Sequence, residues 1–224
     1  MKKLLVAGLL ASFATSGAMA SVIYSQSFEN DDWLGGKYYD YGDSSTDHWL
    51  VNNAGEAAVN GDGFNAWYES TGGVGLTDGD YVGVTDYTGN TGGMYDGNNA
   101  YQMSDTDGIM SLFFDDFGSG VNVSLAIFIA STGYEDADSL TVSYGSDVLL
   151  QLGGNEDDGV ALENAAGTWI ILDASNVSGQ LSISFNSNSG SEAVFIDAVS
   201  ISAIPAPGAL ALIGIAGLAR RRRR

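Results

Sequence analysis

The sequence has no cysteine. That excludes a disulfide framework, a thiolate metal site and a cysteine nucleophile. Its two prolines, Pro205 and Pro207, both lie near the C-terminus. Every turn before them therefore falls to Gly, Asn, Asp and Ser. One histidine, His48, excludes a His-rich zinc site and leaves any Ser–His–Asp triad a single candidate base. Its context, "STDHW", is no nucleophile elbow, and no G-x-S-x-G, P-loop or dinucleotide fingerprint occurs. The Glu-x-Asp-x-x-Glu pattern of sandwich-fold glucanases is also missing.

Positive charge is scarcer than any of these. Between Ser21 and Ala203 one basic side chain, Lys37, stands against all 28 carboxylates of the chain. Such a field repels nucleic acid and anionic membrane surfaces. It attracts cations, Ca²⁺ above all, whose preferred ligands are carboxylate and carbonyl oxygens. The same charge also serves solubility in salt, where screening makes an acidic surface tolerable.

The remaining basic residues sit at the two ends. Residues 1–20, "MKKLLVAGLLASFATSGAMA", carry Lys2 and Lys3, then an apolar run from Leu4 to Ala14, then Ala18-Met19-Ala20. This is the layout of a secretory signal peptide cleaved between Ala20 and Ser21. At the other end, "PAPGALALIGIAGLARRRRR" joins Pro205-Ala206-Pro207 to an uncharged apolar run and five arginines. The run is near the lower limit of about 17 residues for a spanning helix. Arg220 to Arg224 would then stay on the cytoplasmic side.

Proline-x-proline, a short Leu/Ala/Gly/Ile helix and an arginine cluster resemble the PEP-CTERM sorting signal, with Ala206 where that family typically has Glu. The resemblance covers about 20 residues and implies a partner, an exosortase-type membrane protease-transpeptidase that reads the tail. It implies transient anchoring in the inner membrane of a Gram-negative-type bacterium that makes extracellular polysaccharide, followed by transfer to the cell surface or matrix. Pro205, Pro207, Arg220 and Arg221 would be read by that enzyme.

The body, 21–203, alternates. "VNVSLAIFIA" sets Val121, Val123, Leu125, Ile127 and Ile129 on one face, with Phe128 and Ala130 on the other, the pattern of a central strand. "LTVSYG", "QLSISF", "TWIILD" and "AVFIDAVSIS" read as further strands. "DGNN", "DTDG", "YGSD", "GGNEDDG" and "NSNSGS" punctuate them as turns. No segment has a helical period with caps. The expected fold is all-β, a single jelly-roll β-sandwich whose first strand, "VIYSQSFE", pairs with its last. Residues 30–100 read as long loops with short strands. The sandwich is expected over 21–203, between a signal peptide, 1–20, and a hydrophobic sorting helix, 204–224.

"SFEN", "DGNNAYQMSDTDG", "TGYEDADSLTVSYG" and "EAVFIDAVSIS", in that order, resemble secreted jelly-roll domains of the carbohydrate-binding-module type. In such domains a structural Ca²⁺ commonly ties the first strand to the last. The matching positions are Glu29 and Asp197, with Asp107 of "SDTDG" as a further candidate ligand. Asp197 alternates with Phe195, Val199 and Ile201, a face expected to be buried. The reversed pleat would put Val194 and Ile196 inside and Asp197 in water. "SDTDG" and "GYEDAD" are Ca²⁺-friendly in composition, though neither has the length or ligand order of an EF-hand, and both also read as Asx-turns.

Aromatic residues crowd the segment 33–101 among Gly, Asp and Asn. Trp49, Trp67, Tyr68 and Tyr95 are candidate sugar-stacking rings. The alternative is that these rings cap the core. Three functions remain open: a non-enzymatic surface or matrix protein associated with extracellular polysaccharide, a carbohydrate-binding adhesin or lectin, and a small secreted glycan hydrolase or lyase. The first is the leading expectation, with no catalytic residues and a structural Ca²⁺.

Overall fold

The computed structural model describes residues 20–42, 45–130, 133–153 and 162–204. Of the expected processing residues, Ala20 and Ser21 are described and exposed. Pro205, Pro207, Arg220 and Arg221 lie outside the described residues. Residues 22–204 form one compact unit.

Among the described residues ten strands run in order: β1 Val22–Gln26, β2 His48–Trp49, β3 Phe64–Ser70, β4 Gly83–Thr85, β5 Ala100–Ser104, β6 Gly108–Ala130, β7 Ser139–Tyr144, β8 Asp147–Gly153, β9 Trp169–Ser187 and β10 Ala193–Ala203. A single turn of α-helix, α1 Leu162–Ala165, precedes β9. The all-β expectation holds among the described residues.

The strands β6 and β9 organise everything else. They pair antiparallel along their whole length, with register shifts between Phe113 and Asn122. At that level Gly118 and Gly120 of β6, and Asn176 and Gly179 of β9, all have positive φ. Shifts of register and left-handed residues bend a strand pair and let it cross from one layer to another. The first half of β6 pairs β3, and the second half of β9 pairs β7. These make one layer, β2-β3-β6-β9-β7-β8. The second half of β6 pairs β10, which pairs β5 along one stretch and β1 along another. These make the other layer, with β4 on the free side of β5. The expected pairing of first and last strands is present, as Tyr24 opposite Ile201 and Gln26 opposite Val199.

The inner faces meet in one core. Phe64 of β3 lies 5.8 Å from Tyr101 of β5, and Tyr24 of β1 lies 6.0 Å from Phe114 of β6, ring centre to ring centre. Met110, Leu112, Val123, Leu125, Ile127, Leu140, Val142, Ile183, Phe185, Val194 and Ile196 are all buried with them. A sandwich is what two half-apolar sheets form to bury both apolar faces at once.

A second, smaller core lies on the opposite face of β6 and β10: Ala100, Phe128, Ala130, Ala193 and Phe195, with Met94 and Trp169 packed against it. Strand β6 is therefore covered on both sides here, as its apolar run from Leu125 requires. The pleat of β10 is reset within it. A register shift falls between Asp197 and Ser200, and Ala198 has φ +50°. Before this bulge Val194 and Ile196 face the main core. After it Val199 and Ile201 do. Contrary to the simple alternation read from the sequence, Asp197 thus does not share a face with Val199 and Ile201. It follows Phe195 onto the second face, and it is still wholly buried.

Candidate functional site

A cleft of about 740 Å³ opens beside β4 and β5. Its walls are set by backbone pairing. Tyr38 and Asp80 exchange two hydrogen bonds, each 2.9 Å, so that Lys37 and Tyr81 stand side by side. The Lys37 ammonium lies 4.7 Å from the centre of the Tyr81 ring and donates to the Gly79 carbonyl. After β4, the Thr85 hydroxyl accepts from the Tyr87 amide at 3.1 Å and turns that ring outward. Tyr81 and Tyr87 are each about half exposed, at 49% and 53%. Asp86, Asn90, Gln102 and Ser191 add polar groups to the same walls. Two open rings beside amide and carboxylate groups can stack on a flat apolar face and hydrogen-bond its edge.

The aromatics expected as stacking rings are divided by the structure. Register places Trp49 of β2 opposite Trp67 of β3. Their rings meet edge to face at 5.0 Å, and Phe113 lies 5.7 Å from Trp49. Trp49 is 54% exposed. Tyr68, the next residue on β3, points the other way and is fully buried, its hydroxyl donating to the Asp107 carbonyl at 3.0 Å. It offers no face to a ligand. Tyr38 and Tyr101 are buried in the same manner. Tyr95 is half exposed and packs 5.8 Å from the Trp169 ring. Tyr81 and Tyr87 lay in the same aromatic segment, but only tertiary pairing turns them toward one cleft.

The candidate calcium ligands Glu29 and Asp197 grip one loop. Glu29 Oε1 accepts from the amides of Asn98 and Asn99, both at 2.9 Å. Asp197 Oδ2 accepts from the Asp96 amide at 2.8 Å, and Oδ1 from the Ala198 amide at 2.6 Å. Burial pushes the Asp197 carboxyl up to about 6, against the lowering effect of the amides of Asp96, Ala198 and Tyr95. Asn99 is buried, and its Nδ2 has no hydrogen-bond partner. No hydrogen bond joins Asp107 to this group among the described residues. Asp107 is half-buried, and burial, then the charges of Asp105 and Asp78, raise its carboxyl.

Asp80 belongs to that second acidic neighbourhood. It is 1% exposed, and its Oδ2 has no partner. Burial pushes its carboxyl up to about 8; the charges of Asp78, Asp105 and Asp107 add to the rise and Lys37 opposes it. His48 sits with Nε2 3.0 Å from Asp40 Oδ2, a close contact without hydrogen-bond alignment.

A further carboxylate group was not visible as a unit in the sequence. Glu135 and Asp138, which lead into β7, meet Glu192, which leads into β10. One carboxylate oxygen from each lies within 4.8 Å of the others. Burial pushes Asp138 up to about 6, and burial followed by the charges of Asp138 and Glu135 pushes Glu192 up to about 7.

No family model and no curated protein matches this chain. Among solved structures it is similar to TmCBM61 in complex with β-1,4-galactotriose, at 15% identity over 62% of this chain and 86% of that one, TM-score 0.37. It is similar to the K1 cleaved adhesin domain of Lys-gingipain from Porphyromonas gingivalis W83, at 14% identity over 81% and 98%, TM-score 0.38. It is similar also to the carbohydrate-binding module CBM36 in complex with calcium and xylotriose, at 14% identity over 46% and 79%, TM-score 0.27. At these scores the likenesses transfer no ligand and no site to this chain.

Proposed function

We propose that this chain is an exported, non-enzymatic carbohydrate-binding protein of the cell surface or matrix, a jelly-roll sandwich that holds a polysaccharide in the cleft beside β4. The cleft carries this reading: Tyr81 and Tyr87 present open rings, and Asp86, Asn90 and Gln102 stand beside them as hydroxyl-binding groups. Sugar rings have apolar C–H faces and polar rims, which is the complement of that lining. Among the described residues lining the cleft, Asp86 is the one carboxylate. Glycoside hydrolysis uses two, about 5–9.5 Å apart across the bond. That favours binding over a hydrolase.

The signal peptide and the Pro205–Arg224 tail support delivery through an exosortase-type system, from the inner membrane to the extracellular polysaccharide. In this reading Glu29 and Asp197 remain the candidates for a structural Ca²⁺ that ties the first strand to the last. Both converge on the loop that carries Asp96, Asn98 and Asn99, and among the described residues no basic side chain is bonded to either.

A glycan array probed with the protein, with and without Ca²⁺, tests the reading. Binding to defined oligosaccharides that Tyr81→Ala and Tyr87→Ala each weaken is the expected result. Binding to none, or turnover of a bound glycan, would refute it.

A further inference from the structure

The geometry points to a Ca²⁺ site formed by Glu135, Asp138 and Glu192, which pins the segment entering β7 to the turn entering β10. Asp138 and Glu192 are each 2% exposed, and Glu192 Oε2 has no hydrogen-bond partner. A buried ionised oxygen left unpaired costs several kcal/mol unless a counter-charge reaches it. The described residues supply none. Lys37 is engaged by Gly79 and Tyr81, and His48 lies against Asp40.

The donor chemistry selects the ion. Oxygens bound to one Ca²⁺ at about 2.3–2.6 Å lie at most about 4.6–5.2 Å apart, so three within 4.8 Å of one another are close enough to converge on it. Mg²⁺ demands near-ideal octahedral geometry and sheds water reluctantly, so a site built from several protein carboxylates suits it less. Hard carboxylate donors without nitrogen or sulfur exclude a preference for zinc or copper. Glu135 is exposed, so water reaches the ion from its side and completes the shell.

The local structure is already shaped for it. Asp138 donates its amide to the Glu135 carbonyl at 3.0 Å while its own carboxylate accepts from the Glu135 amide. On the other side the Glu192 amide donates to the Ser189 carbonyl at 3.0 Å, which folds the turn so that the side chain points inward. Strand β7 lies in one layer and β10 in the other, so the ion joins the two sheets. This site is separate from Glu29 and Asp197 and does not depend on what the cleft binds.

The test is calorimetric titration of the full-length chain with CaCl₂ at neutral pH after chelation, in constant ionic strength, alongside melting curves. Glu135→Gln changes an exposed residue and leaves folding intact. It is expected to weaken one Ca²⁺-binding phase by about tenfold, since one of three charged ligands is lost. Glu192→Gln is expected to remove that phase and, in chelator, to melt above the wild type because one buried charge is gone. Asp197→Asn is expected to leave the phase in place. Identical isotherms for wild type and Glu135→Gln would overturn the site, as would a phase lost only in Asp197→Asn. Equal melting shifts with MgCl₂ and CaCl₂ would also overturn it, since they would mean screening alone.

Discussion

Glu29, just past the first strand, and Asp197, in the last, hold the same loop. Glu29 Oε1 accepts from Asn98 and Asn99, and Asp197 Oδ2 accepts from Asp96. The loop lies over the second face of β10, where Asp197 has no access to water. Removing either carboxylate strands backbone amides rather than an apolar contact. Asp197→Ala is therefore expected to cost about 3 kcal/mol, the value of one to two hydrogen bonds to a charged group. Glu29→Ala, at an exposed position, is expected to cost about half as much. Urea denaturation midpoints measure both, and equal, negligible losses would contradict the arrangement.

Gly97 sits between these grips with φ +68°. A Cβ there would fall 2.3 Å from the Glu29 carboxyl carbon. Gly97→Ala combines that clash with a backbone conformation unsuited to alanine, so a loss of about 1–3 kcal/mol is expected. Glu29→Ala in the Gly97→Ala background should recover part of it. Failure of the double variant to do so would show that φ alone sets the cost.

Asp80 makes stability fall as pH rises. Its carboxyl titrates near 8 in the folded chain, above its ordinary value of 3.8. Below about pH 4 both states hold the proton and the full contribution is present. Between about pH 4 and 8 the folded state keeps a proton that the unfolded state has lost, so stability drops by up to about 1.4 kcal/mol per pH unit for this group. Glu192, near 7, and Asp138 and Asp197, near 6, act in the same direction over narrower windows. In metal-free buffer the wild type is expected to lose stability from pH 5 to 8, and Asp80→Asn to lose less of it above pH 6. Denaturation midpoints across that range give the answer, and parallel profiles for the two proteins would contradict it.

The regular strands were legible in the sequence where alternation is uninterrupted. The second half of β6, β7, both ends of β9 and the presence of β10 were legible from their apolar periods, whereas the face of Asp197 within β10 was not. The first half of β6, "GIMSLFFDD", and β3, "FNAWYES", were hidden. Asp, Asn and Gly occupy their outward and bend positions and look like loop residues. The bulge at Ala198 had no signal, because alanine at positive φ is enforced by the surrounding pairing and not by local preference. Glu29 and Asp197 could be named through resemblance. The meeting of Glu135, Asp138 and Glu192 could not, since Glu192 approaches only after β9 has crossed the sandwich. Among the aromatics, Tyr68 and Tyr81 have similar polar neighbours in sequence, and only the fold decides that one is core and the other open.

The cleft rings should act through stacking. Loss of one aromatic face is expected to cost about 1–1.5 kcal/mol, close to tenfold in affinity. Tyr81→Ala and Tyr87→Ala should each show it in calorimetric titration with a bound oligosaccharide, and Tyr87→Phe should retain most of the affinity. Lys37→Met should weaken binding less than Tyr81→Ala, since the ammonium steadies the Tyr81 ring from one side. If Tyr87→Phe loses as much as Tyr87→Ala, the hydroxyl and not the ring face carries the contact.

The most direct measurement is amide chemical-shift mapping by NMR as the protein is titrated with oligosaccharides released from bacterial extracellular polysaccharide. The account predicts saturable shifts confined to the cleft, at Gly36, Lys37, Tyr81, Thr85, Tyr87 and Gln102. No saturable shift, or shifts centred on Trp49 and Trp67 with the cleft unmoved, would contradict it.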